Sequence, residues 1–204
     1  MKKKAIIFLT AALLFSMTAC GNKKDDNKGE TLPSGDTTEN DSTYEESSTD
    51  YGAGVDIQDI KKALTDEFGD NYWPDTEISK EMLKDIYGVS EDLYEEYYGE
   101  SPMISTNVDT VLVIKAKEDQ VAAVEEALNE YRSRLVNDTM QYPMNIGKIQ
   151  ASRIETFGSY VCFVQLGADT MEASENGDEA VIEKCQQDNE LALEIIQNTL
   201  AKNQ

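Results

Sequence analysis

Apolar residues recur along this chain with two different periods, and the switches between them mark the elements. Over residues 107–117, Val108, Leu112, Ile114 and Ala116 fall on one side and Val111 and Val113 on the other. Apolar residues on both sides of a two-residue repeat predict a central strand buried on two faces. The period then lengthens: Val121, Val124, Leu128, Tyr131 and Leu135 step by three and four, which predicts a helix that ends before Tyr142-Pro143. Strands are predicted over 147–156 and 160–166, and Gly158-Ser159 between them is a two-residue hairpin signal, so the two should pair antiparallel. A last helix over 179–201 carries Ile182, Cys185, Ile196 and Leu200 on one side, with Leu193 close by.

Upstream of the strand the pattern is helical and interrupted. Asp56 is placed to cap a helix to Phe68, with Gly69 as its stop. Ser79 can cap a second helix to Tyr87, ended by Gly88, and Ser90 a third over 91–98, ended by Gly99. Strand, helix, hairpin and helix in that order imply an α+β domain over 55–204. It should hold a small, about three-stranded, largely antiparallel sheet packed with helices and preceded by short N-terminal helices.

The first 54 residues follow neither period. Lys2, Lys3 and Lys4 precede an apolar run of 11 residues, Ala5 to Phe15, which is the layout of a secretory signal. A spanning helix needs about 20 apolar residues, so this run is too short to cross a bilayer. Met17, Thr18, Ala19 and Cys20 resemble the lipobox of bacterial lipoproteins, with Met17 in place of the commoner leucine. The resemblance implies cleavage after Ala19 and a diacylglyceryl group on Cys20, so residues 1–19 are a lipoprotein signal and Cys20 is the lipidation site. Two acyl chains give stable anchoring where one is marginal. Residues 21–54 are rich in Asn, Asp, Glu, Ser, Thr and Gly, with Leu32, Tyr44 and Tyr51 as the sizeable apolar side chains. Such a stretch buries too little surface to offset chain entropy and is expected to be a disordered acidic linker. Its root-mean-square reach would be roughly 30–35 Å.

Charge and missing residue types narrow the chemistry. The chain carries 18 basic and 40 acidic residues, and loss of Lys2, Lys3 and Lys4 with the signal would leave a net charge of -25. That field repels nucleic acid, and permits basic proteins or amine-bearing wall polymers as partners. The chain has no histidine, which removes imidazole bases, His-dependent triads and imidazole-ligated zinc. No cofactor is implied.

Four groups of residues are candidates for sites. Glu172, Ser174, Asn176, Gly177 and Glu183 occupy positions of a calcium-binding loop. A Gly turn followed by acids at a helix N-terminus explains them more simply, so no metal site is assigned. Glu91, Asp92, Glu95 and Glu96 lie among Tyr94, Tyr97 and Tyr98, a setting in which paired carboxylates could cleave glycans, although a half-buried tyrosine stripe is the plainer reading. Cys162 and Cys185 read as small buried hydrophobes, and a disulfide between them is allowed outside the cytoplasm. Glu130 and Arg134 are spaced for a helical ion pair, while Arg132 and Arg153 are candidates for anion binding.

Residues 103–166 resemble a known family. The likeness rests on Ser101-Pro102-Met103, the helix over 120–135, Tyr142-Pro143 and Gly158-Ser159-Tyr160-Val161-Cys162-Phe163. These are similar to the uncharacterised bacterial lipoprotein group called domain-of-unknown-function family 4358. The resemblance implies a lipobox, an acidic linker and one compact domain, and brings no activity, ligand or catalytic residue with it.

The sequence is therefore read as a lipid-anchored protein on the extracytoplasmic face of the cell membrane. It touches the bilayer through acylated Cys20, and its domain is a non-catalytic binding module for an unidentified envelope protein or polymer. The alternative is a carboxylate-dependent wall-glycan hydrolase. Cys20→Ala should release the protein from the membrane fraction and abolish its acylated mass. A variant that still sediments wholly with membranes and keeps the processed mass would contradict lipidation.

Overall fold

The structure is a computed structural model that describes residues 51–201 except 53 and 105. The expected signal, Cys20 and nearly all of the expected linker lie outside the described residues. The central strand, β3 (Thr110–Ala116), has the two apolar faces that its alternation requires. Leu112, Ile114 and Ala116 enter one core and Val111 and Val113 the other. Its neighbour β5 (Tyr160–Gln165) divides in the same way, Val161 and Phe163 to one side and Cys162 and Val164 to the other.

The sheet has five strands, not about three, in the order β1-β2-β3-β5-β4, and every neighbouring pair is antiparallel. Its remaining members are β1 (Thr76–Glu77), β2 (Tyr94–Ser101) and β4 (Arg153–Phe157). The expected hairpin is present, with Gly158 at φ 60° and Phe157 opposite Tyr160. Helices cover both faces. On one, α1 (Asp59–Phe68) and α6 (Asp178–Leu200) bring Ile60, Leu64, Ala192, Ile196 and Leu200 onto the sheet. On the other, α2 (Lys80–Asp85) and α3 (Val121–Asn137) bring Leu83, Val124 and Leu128. Each fully buried side chain of this size stabilises the fold by about 1.5–3 kcal/mol. Among the described residues, no helix is long and apolar enough to cross a membrane.

Helix ends follow the expected chemistry in part. Ser79 caps α2, its Oγ accepting from the Met82 N–H at 3.2 Å. Asp56 does not cap α1 directly: its Oδ1 accepts from Gln58 N–H at 2.9 Å, forming a turn before the helix begins at Asp59.

Two expected elements are corrected. Residues 91–98 are not a helix, because β2 runs from Tyr94 and pairs with β3. A register shift between Tyr94 and Glu96 puts Tyr94 opposite Ala116 and Tyr97 opposite Ile114, so residues three apart share one face of a strand. That bulge mimics helical spacing. Residues 147–156 are not one strand, because α4 (Pro143–Ala151) occupies their first half and β4 the second. Pro143 sits in the first turn of α4, where its missing N–H costs nothing, so it opens a helix rather than only closing the one before. A Cβ on Gly147 would fall 2.7 Å from Val181 Cγ1, and its absence lets α4 lie close against α6.

The disulfide allowed by the sequence does not form: Cys162 and Cys185 are both free thiols. Cys162 sits mid-strand opposite Val113, whereas Cys185 Sγ packs beside Gly167, beyond the end of β5. Five residues of extended chain span on the order of 16 Å, and a disulfide needs Cα atoms within about 7 Å. Burial raises both thiol pKa values, that of Cys185 to about 11, so neither is a ready thiolate. Alkylation and peptide mapping of the unreduced protein should modify both cysteines after unfolding and neither in the native state. Recovery of a disulfide-linked peptide pair would contradict this packing.

Candidate functional site

The site is built around a lysine that the fold removes from water. Helix α4 turns Asn145, Lys148 and Ile149 inward and leaves Met144 and Ile146 outside. Lys148 is only 4% exposed, and a buried ammonium must find partners. Its Nζ donates to Asp109 Oδ1 at 2.6 Å and to Asn107 Oδ1 at 3.0 Å, and lies 4.8 Å from the centre of the Trp73 ring. Asp109 is fully buried just ahead of β3, and its Oδ2 accepts from the Gly167 N–H at 3.4 Å. Asn107 Oδ1 also accepts from the Asp109 N–H at 3.1 Å. One ammonium thus ties α4, the loop before β3 and the Trp73 segment together, and Asp109 extends the tie to the chain after β5.

The balance of forces on Asp109 is set by burial. Desolvation raises its pKa, and the attraction of Lys148 with their hydrogen bond offsets that only in part, so the net direction is upward. A buried pair of this kind is weak evidence for stability, but loss of one partner strands the other charge.

Above this pair opens a cleft of about 1000 Å³. One wall is formed by Pro102, Ile104, Thr106 and Asn107, the second is the outer side of α4, and the third is α5 (Met171–Ser174) with the first turns of α6. The rim is apolar and exposed: Trp73 42%, Ile104 66%, Met144 66%, Ile146 44% and Met171 80%. Asn145, 1% exposed, lines the wall and donates from Nδ2 to the Thr106 carbonyl at 3.2 Å, while its buried Oδ1 has no partner. Tyr72, beside Trp73, is fixed by its hydroxyl contact with Tyr98 at 2.6 Å. Tyr98 in turn donates to Glu100 Oε2 at 2.7 Å, and Lys61 pairs with the same carboxylate. Burial, the largest influence on both tyrosines, pushes their pKa values up, so both remain neutral donors.

The residues singled out in the sequence lie elsewhere or serve packing. Glu91 pairs with Lys80 at 2.9 Å, and Glu95 and Glu96 with Lys115 at 2.9 and 3.7 Å, along and beside β2. A hydrogen bond from Ser90 and its own backbone N–H keep Asp92 below the usual carboxylate range. None of these four carboxylates lines the cleft. Glu172 and Ser174 belong to α5 and Gly177 precedes α6. Ser174 Oγ donates to the Met171 carbonyl and Asn176 Nδ2 to the Glu172 carbonyl, closing local turns. Glu183 is exposed on α6. Arg132 clamps the end of α4 through the Ser152 and Gln150 carbonyls at 3.0 and 3.2 Å. Arg153 faces Glu155 and Glu190. Arg134 does not reach Glu130: it donates to the Ile86 carbonyl at 2.8 Å and lies over Tyr131.

Sequence reasoning missed Asp109, Lys148, Asn145 and Trp73. A signal existed for the first, since Asp109 interrupts an apolar run, and a charge at the mouth of a buried strand demands a partner. Lys148→Met should destabilise the domain by about 3–5 kcal/mol at neutral pH, because it leaves the Asp109 carboxylate buried alone. A raised folded pKa means stability is lost as pH rises from the unfolded value, about 3.9, through the folded one. The Lys148→Met deficit should therefore shrink as pH falls toward 4, and should be smaller in Lys148→Met/Asp109→Asn. Urea midpoints across pH measure this, and a deficit independent of pH would contradict it.

Residues 67–166 match the family model described as Domain of unknown function (DUF4358). No curated protein and no solved structure matches the chain. The matched region begins well before the motifs at 101–103 and takes in Trp73, Asp109 and Lys148, but stops short of α5 and α6. The chain therefore carries a domain of the DUF4358 family, and the buried pair beneath the cleft lies inside it.

Proposed function

We propose that this protein is a lipid-anchored envelope module whose domain binds another envelope component in the cleft above Lys148 and Asp109. The observation that carries the reading is an exposed apolar rim set on a rigid, buried polar base. Isolated apolar residues on a surface need no explanation, but a contiguous group around a cleft of about 1000 Å³ marks a binding surface. In this reading Cys20 fixes the chain to the outer face of the membrane, the linker gives the reach up to Tyr51, which packs against the domain core, and the domain presents the cleft. Binding without chemistry accords with a site in which the one buried lysine is held by two acceptors and a ring. No observation favours the hydrolase, since Glu91, Glu95 and Glu96 are each matched to a lysine.

A photoreactive amino acid at Met144 or Met171 in the full chain, irradiated in intact cells, should give a discrete crosslinked adduct. The same residue at Glu130, on exposed α3, should not. Equal adducts from all three positions, or none from the cleft, would contradict the proposal.

A further inference from the structure

Resting on the cleft as the binding site, we infer that its occupant is a basic amphipathic peptide segment. Its apolar side chains enter between Met144, Ile104 and Met171, and its lysines or arginines face the acidic third wall. Between Leu166 and Lys184 the chain carries six carboxylates, Asp169, Glu172, Glu175, Asp178, Glu179 and Glu183, and no basic residue. All six are exposed. Elsewhere on the surface Glu91, Glu95 and Glu155 each have a basic partner, Lys80, Lys115 and Arg153. Among the described residues none of the six has a basic partner. The same segment supplies Met171, Asp178, Val181 and Ile182 to the cleft, so one of the six carboxylates, Asp178, lines it beside the apolar surface and the other five lie in the same segment of chain.

Three further features select the occupant. Lys148, the cation at the base, is neutralised by Asp109 and screened by Trp73, so it offers no charge to an anionic ligand. Methionines at the rim are unbranched and adapt to varied apolar side chains, a surface suited to peptide helices. The Asn145 Oδ1 is a buried acceptor without a partner, and a donor brought by the occupant would satisfy it after a small side-chain adjustment. A second copy of this chain, itself strongly acidic, and an acyl carboxylate would both be repelled by the wall.

The test uses the full chain in phosphatidylcholine nanodiscs, with empty nanodiscs subtracted. Fluorescence anisotropy reads binding of a labelled amphipathic leucine–lysine peptide, its leucine–glutamate twin, decanoate by displacement and a soluble wall-glycan fragment by displacement. The leucine–lysine peptide should bind at least about tenfold more tightly than its twin. Its affinity should fall about tenfold in Ile104→Gln/Met144→Gln, an exposed pair whose replacement leaves the urea midpoint unchanged. Glu172→Gln/Glu175→Gln/Asp178→Asn should weaken binding and flatten its salt dependence. Equal binding of the two peptides, binding unaffected by Ile104→Gln/Met144→Gln, or no peptide binding would each overturn the inference. Decanoate or glycan binding that the apolar double variant abolishes would also overturn the peptide class while leaving the cleft as the binding site. The cellular crosslink at Met144 and Met171 decides separately whether the cleft binds at all.

Discussion

The ammonium of Lys148 in the protein interior is the constraint on which the site depends. Taking it from water is costly, and it is tolerated because a carboxylate and an amide oxygen from the approach to β3 and an indole face from the Trp73 loop meet it. Those segments are far apart in sequence, so one charge fixes the relative positions of the Trp73 loop, the approach to β3 and α4. Gly167, donating to Asp109, adds the chain leaving β5. A polar tie of this kind sets geometry more than it adds stability. Here that geometry is the floor of a cleft.

The rest of the fold serves as a rigid mount. Strands β3 and β5 are buried on both faces, and helices press on each, so the ends of these strands are held firmly where the tie begins. Asn189 of α6 reinforces the mount, accepting from the Leu166 N–H at 2.7 Å and donating to the Ala151 carbonyl at 2.9 Å. Helix α6, the end of β5 and the end of α4 are thereby locked together. The cleft walls above consist of loop segments, one exposed face of α4, the four-residue α5 and the first turns of α6.

What could be read from the sequence was whatever a single period governs. The central strand, α3, the hairpin at Gly158 and α6 each repeat one spacing over many residues, and each is where the pattern puts it. β2 was hidden because its bulge places Tyr94 and Tyr97 on one face at helical spacing, and because its glutamates favour strands poorly. α4 was hidden because Ile149 and Ile154, though similar in type, belong to different elements divided at Ser152. The buried pair was hidden for a more general reason. Asp109 and Lys148 are 39 residues apart, and only the strand order, which no local pattern specifies, brings them together. The rim methionines carry no periodic signal either, since they come from separate walls.

The central claim is that Lys148 holds the cleft together locally. Hydrogen exchange measured residue by residue, comparing the native protein with Lys148→Met under conditions where both are folded, tests it most directly. The account predicts faster exchange in 102–109, in α4 and at Gly167, with the β3–β5 ladder unchanged relative to global unfolding. Unchanged protection in those segments, or an equal loss spread over every helix and strand, would contradict it.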